Sequence, residues 1–178
     1  MIPEYPKFIP LEIGQKGEIA EHLLLTPRDT CELTVGNLFI WNDFDRPQVT
    51  AINQNVCVLI TPPNEPPYFL EPLGALKLKE TVDICLQHTG RISRASEMVV
   101  ALLPPDTYKL EPLRDHFDYI YETKTLAELK GKKYDGKRNH VKKFAQGNPG
   151  YEYRPLDPGH KAEALALFER WFAVREVS

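Results

Sequence analysis

Apolar positions change their spacing several times along the chain. Three prolines in the first ten residues read as an extended lead-in, after which Ile19, Leu23 and Leu24 recur at helical spacing and predict a short helix over 15–25. Pro27-Arg28-Asp29-Thr30 is a break rich in capping residues. Leu33, Asn37, Leu38 and Trp41 then share one side of a second helix, with strand as the rival reading for 34–41. From Gln48 the period drops to two: Val49 and Ala51, then Val56, Val58 and Ile60, flank Asn53-Gln54-Asn55 and predict a hairpin with strands at about 47–53 and 55–61. The proline-rich run 62–67 cannot hold a sheet ladder, so a third strand is expected over 68–73, ended by Gly74. Leu78, Val82, Cys85 and Leu86 give a helix to about His88. A short strand at 91–93, a helix opened by Ser96 and a strand at 116–121 complete the first part. Helix, helix, three mostly antiparallel strands, helix, strand, helix and strand is an α+β order.

The second part is punctuated differently. Thr125 with Glu128 reads as a capping box, and Gly131 and Gly136 divide the helix it opens into two pieces. Gly147-Asn-Pro-Gly150 is a breaker, 151–156 reads as a strand, and Asp157-Pro158 is an N-cap with a first-turn proline for a helix to about Arg175. No repeat of 20–50 residues is visible.

Composition narrows the class. The 178 residues are 42% hydrophobic and 26% charged, with a net charge of −3, as in an ordinary globular chain rather than a disordered or broadly nucleic-acid-binding one. No apolar run approaches the ~20 residues of a membrane helix, and the N-terminus lacks the basic-then-apolar order of a signal peptide, so a cytoplasmic location is expected. Cys31, Cys57 and Cys85 are widely spaced and read as buried thiols. Phosphate-loop, dinucleotide-fingerprint, zinc-hydrolase and serine-hydrolase motifs are absent, and no two histidines are spaced to share a metal on one helical turn. His116 beside Asp118 invites a catalytic reading, but residues two apart on a strand face are common by chance.

Charge is concentrated. Residues 124–143 hold eight Lys or Arg and two acids, a local balance of +6, which leaves −9 on the remainder. At roughly 100° per residue, Tyr134, Val141, Phe144 and Ala145 fall within an arc of about 100°, the expected buried stripe of the second helical piece. Lys137 projects into that arc and Arg138 lies about 20° beyond it, whereas Lys132, Asn139, Lys142 and Lys143 point elsewhere. The outward set has a simple explanation as a solvated face, while a cation beside an apolar stripe needs an anionic or carbonyl partner or must snorkel out.

Asp118-Tyr-Ile-Tyr-Glu-Thr123, followed by Leu126-x-x-Leu-x-Gly-Lys-Lys133, Lys137-Arg-Asn-His140 and Phe144, resembles a bacterial family of unknown function related to the C-terminal domain of phosphatidylglycerol lysyltransferases. Asn37-Leu-Phe-Ile-Trp41 also matches its text. That family resembles tandem acyltransferases of the GNAT type, akin to Fem-type enzymes that move an aminoacyl group from tRNA to a lipid or peptidoglycan amine. The resemblance implies a GNAT-like first repeat over 1–122 with a mixed, mainly antiparallel sheet, a basic connector over 123–147, and over 151–178 the opening strand and helix of an incomplete second repeat. It further implies acyl-CoA or aminoacyl-tRNA as donor, with anionic lipid as a further candidate partner. The anion-binding candidates on the connector are Lys132, Lys133, Lys137, Arg138, Asn139 and His140.

Two departures limit that inference. A GNAT enzyme holds the acyl-CoA pyrophosphate on the amides of a glycine-rich turn at a helix N-terminus. The corresponding text here is Glu71-Pro-Leu-Gly-Ala-Leu-Lys77, with one glycine and an acid, so a standard CoA pocket is not expected in the first repeat. The second repeat, where such families are thought to keep their active centre, is almost wholly absent, so this chain by itself is expected to be inactive. Two functions stand open: the N-terminal part of an acyl- or aminoacyltransferase whose basic connector binds a phosphate-bearing donor or acceptor, or a non-catalytic GNAT-like binding or scaffold module. Leu165, Leu167, Phe168, Trp171, Phe172 and Val174 spread over roughly 180° of the last helix, which one docking face cannot cover. A homodimer or a longer protein is expected to bury it.

Overall fold

The structure, a computed structural model, describes residues 1–25 and 30–175. The predicted break at 27–30 lies, apart from Thr30, outside the described residues. The chain divides into two units, Met1–Tyr119 and Ile120–Ser178.

The first unit is α+β. Its sheet has the order β1 (Ile9–Pro10), β2 (Gln48–Ile52), β3 (Asn55–Ile60), β4 (Tyr68–Phe69), with every neighbouring pair antiparallel. β2 and β3 form the predicted hairpin, in register from Gln48 opposite Leu59 to Ile52 opposite Asn55. Asn53 and Gln54, at φ of +51° and +65°, supply the two left-handed turn positions that match the strand twist. β1 is the element the pattern did not predict: two residues of the proline-rich lead-in pair with β2, Ile9 opposite Val49. Parallel bridges join Glu4 to Ala51 and Phe69 to Ile92.

All six residues of β3 are buried, because both faces of the sheet are covered. Val56, Val58 and Ile60 point towards a cluster containing Ile19 of α1 (Lys16–Leu25) and Leu38 of α2 (Val35–Ile40). Cys57 and Leu59, one residue out of phase, meet Phe69 and Cys85 on the other face. α2 opens on Thr34, whose hydroxyl accepts the Asn37 amide at 3.2 Å, and is followed by the single turn α3 (Asn42–Asp45). Cys85 lies on α4 (Leu78–Thr89), which ends at Gly90 in the left-handed conformation and packs its Leu78 and Val82 against Val99 of α5 (Glu97–Ala101). Ser96 caps α5 and also donates its hydroxyl, at 2.7 Å, to the buried carboxylate of Glu71.

Several expectations are corrected. The third strand is regular only at Tyr68–Phe69. Pro72 has no amide to donate, and the ladder resumes as one bridge between Leu73 and Val56. The strand expected at 91–93 reduces to the bridge at Ile92. At 116–121 there is no strand: Arg114–His116 forms a 3-10 turn, and the extended residues after it find no ladder partner among the described residues. Cys31 is exposed, while Cys57 and Cys85 are buried.

The second unit holds α6 (Thr123–Glu128), a 3-10 turn at Lys132–Tyr134, α7 (Asp135–Gly147) and α8 (Lys161–Arg175). Here too the expectations need revision. α6 starts two residues before Thr125, whose hydroxyl donates to Glu122 at 2.8 Å in place of a capping box with Glu128. The division falls at Leu129 and Gly131, with φ of +48° and +91°, and Gly136 sits unbroken in the first turn of α7. Residues 151–156 carry no sheet ladder. The cap before α8 is as predicted: Asp157 accepts the Gly159 amide at 2.7 Å with Pro158 in the first turn. None of the described side chains of this unit is buried.

Candidate functional site on the basic helical pair

α6 and α7 present the basic residues from a short, tightly broken helical pair. At the break, Lys132 and Lys133 sit on the 3-10 turn, with the Lys133 ammonium 5.0 Å from the centre of the Tyr134 ring. Lys133 and Tyr134 also line a shallow cleft of about 390 Å³ with Lys124, Thr125 and the carboxylates of Glu122 and Glu128. Lys130 pairs with Glu128 at 2.8 Å. Among the described residues, Lys132, Lys137, Lys142 and Lys143 meet no acidic partner within salt-bridge distance.

The six candidate residues do not share one groove. Only Lys133 lines the cleft; Lys132, Lys137, Asn139 and His140 are exposed around the break and the first turns of α7. The apolar stripe expected beside Lys137 is itself half-open, with Val141 55% and Phe144 54% exposed, so Lys137 stands in solvent rather than against a closed core. Phe144 packs edge-on against Tyr151 at 5.0 Å. Arg138 differs from the lysines: it is half-buried, and its guanidinium donates to the carbonyl oxygens of Leu129 and Gly131 and pairs with Asp135.

In the first unit, the turn before α4, read above against the pyrophosphate turn of GNAT enzymes, is occupied by the Asn55 side chain. Asn55, 1% exposed, accepts the Leu76 amide at 3.2 Å on Oδ1, and its Nδ2 donates to the Leu76 carbonyl at 2.7 Å and the Thr81 hydroxyl at 2.9 Å. A turn whose amide is already committed to a buried side chain offers no ready anion cradle. Sequence reasoning identified the lack of glycines there but not Asn55, which sits in a strand and reads as part of a hairpin turn. His116 and Asp118 form no dyad: His116 Nδ1 lies 4.0 Å from Glu32, and Asp118 accepts the Cys31 amide.

An α+β unit with helices on both sheet faces, followed by a basic helical pair, is compatible with the acyltransferase-like plan. Residues 24–178 match the family described as phosphatidylglycerol lysyltransferase, C-terminal, and the chain belongs to that acyltransferase-related family. A crystal structure of a conserved protein of unknown function from Bacteroides thetaiotaomicron VPI-5482 is similar over 99% of this chain, with 26% identity and a TM-score of 0.71. The chain spans 61% of that protein's length. No curated protein matches the chain. No helix among the described residues is long and apolar enough to cross a membrane.

Proposed function

We propose that this chain is the N-terminal part of an acyltransferase or tRNA-dependent aminoacyltransferase, in which the basic connector binds the phosphate groups of a donor or acceptor. The observation that carries this reading is the set of lysines at the α6–α7 break, Lys132 and Lys137 with no acidic partner among the described residues and Lys133 over the Tyr134 ring, within a +6 segment of a chain that is otherwise acidic. An evenly solvated helix face needs no such separation of charge, whereas a phosphodiester ligand is drawn to it. Asn139 and His140 stand exposed beside these lysines and add side-chain hydrogen-bonding groups. The first unit serves as a GNAT-like scaffold without a CoA site of the usual kind, a reading favoured by the way Asn55 fills the turn before α4. The exposed apolar surface of α8 is covered, in this reading, by further polypeptide of the kind that the longer Bacteroides protein carries outside the match.

Binding of labelled unfractionated tRNA, acyl-CoA and phosphatidylglycerol vesicles, each in rising salt, tests the connector. Replacing Lys132, Lys133 and Lys137 with Ala should weaken binding of the true ligand class and reduce the slope of log affinity against log salt by about one for each phosphate no longer neutralised. Absence of affinity for all three probes at low salt, or a triple variant that binds like the parent, would end this reading.

A further inference from the structure

Arg138 stands in the middle of the basic segment and is the cation there whose guanidinium is engaged by backbone carbonyls. α6 is a short helix that ends on Leu129 in the left-handed conformation, followed by Gly131 at φ +91° and ψ 164°. A helix end leaves its last carbonyls without intrahelical partners, and a non-glycine residue at positive φ adds a steric cost, so such a break needs an external tie. The Arg138 guanidinium supplies it. One nitrogen reaches the Leu129 carbonyl and, at 3.0 Å, the Gly131 carbonyl; the other is held by Asp135 one turn back on α7. The Gly131 oxygen also accepts the Tyr134 amide at 3.1 Å, which uses both of its lone pairs. The charge of the guanidinium is already answered by Asp135, so little of it remains for a ligand.

Resting on the connector reading above, we propose that Arg138 is a positioning residue and not an anion contact: its planar fork fixes the α6–α7 break and thereby sets where Lys132, Lys133 and Lys137 stand. A lysine at this position would keep the charge, but its single ammonium cannot span two carbonyls and a carboxylate in one geometry.

The test uses the 178-residue chain and Arg138→Lys, Arg138→Ala, Asp135→Asn and Lys137→Ala variants, with labelled unfractionated tRNA and phosphatidylglycerol vesicles as probes and amide hydrogen exchange over 129–135 as an independent readout. Arg138→Lys and Arg138→Ala should both speed exchange over 129–135 about tenfold or more, while Lys137→Ala leaves it unchanged. Both should lower affinity for whichever probe binds by a similar factor, about three- to tenfold, despite the charge kept by lysine. Asp135→Asn removes a negative charge beside the lysines, which on charge alone strengthens anion binding about twofold; loss of the clamp predicts weaker binding instead. Arg138→Lys with parental affinity and exchange, or Asp135→Asn with tighter binding and unchanged exchange, overturns the proposal. If the parent chain binds neither of these probes nor acyl-CoA, the connector reading falls, and exchange over 129–135 still decides whether the clamp exists.

Discussion

Asp118 accepts the backbone amide of Cys31, 87 residues earlier, at 2.9 Å. The contact ties the end of the first unit to the 3-10 turn at Cys31–Leu33. The same carboxylate governs the thiol: a hydrogen bond to Asp118, partial burial and the negative charges of Asp118 and Glu32 push Cys31 up to about 11.

Cys31 is therefore exposed yet expected to react slowly, because the thiolate is the nucleophile and a raised pKa makes it scarce at neutral pH. Alkylation by iodoacetamide at pH 8 should be slow and should climb only as pH rises towards 11. Asp118→Asn removes the charge that holds the proton, so the thiol titrates nearer its ordinary range and labelling at pH 8 accelerates on the order of tenfold or more. Mass spectrometry of the alkylated peptide reports this, with buried Cys57 and Cys85 as internal controls. A fast-labelling parent chain would contradict the contact.

Gly74 and Asn55 give a second test. A Cβ on Gly74 would lie 2.1 Å from Asn55 Oδ1, at a φ of +141° where side chains are rarely accepted. Gly74→Ala must displace Asn55 from Leu76 and Thr81, at a cost of about 2–4 kcal/mol. Asn55→Ala leaves the Leu76 amide and carbonyl unanswered and should cost about 2–3 kcal/mol. Once Asn55 is gone the alanine no longer collides with it, so the double variant should fall short of the sum by about 1–2 kcal/mol in urea unfolding. Strict additivity would show that the two positions do not meet.

The reach of sequence reasoning follows from the range of each interaction. The β2–β3 hairpin, α4 and the Asp157 cap were legible because period, turn residues and capping are local. The strands expected at 116–121 and 151–156 carried the same local signal, but a ladder needs a partner strand that no local pattern can provide. The shortening of β4 turned on one residue, Pro72, inside an otherwise good strand pattern. Over 124–143, the excess of lysines was plain from composition. That Arg138 turns back onto Leu129 and Gly131 was not, since wheel geometry places a side chain by its Cα direction and says nothing of where a long arginine ends.

The last prediction concerns α8. Phe168 stacks on Phe172 and lies beside Trp171, both at centroid distances of 6.0 Å, and Arg175 covers the Trp171 ring at 5.0 Å, yet Trp171 is 52% and Phe168 56% exposed. These rings shield one another in part, and the group as a whole stays half-open. In a Trp41→Phe background, Trp171 emission should lie near the solvated limit and be quenched readily by acrylamide. An uncovered cluster of this kind also promotes association, so light scattering should show a mass that rises with concentration, and Phe168→Ser with Phe172→Ser should abolish the rise. The clusters around Val58 and Phe69 are built from first-unit residues alone, so the unfolding midpoint of the first unit should change by less than about 0.5 kcal/mol in equivalent stability. A concentration-independent monomer with Trp171 fully shielded from acrylamide would refute the exposed-surface account, because it would require the chain to cover this helix by itself.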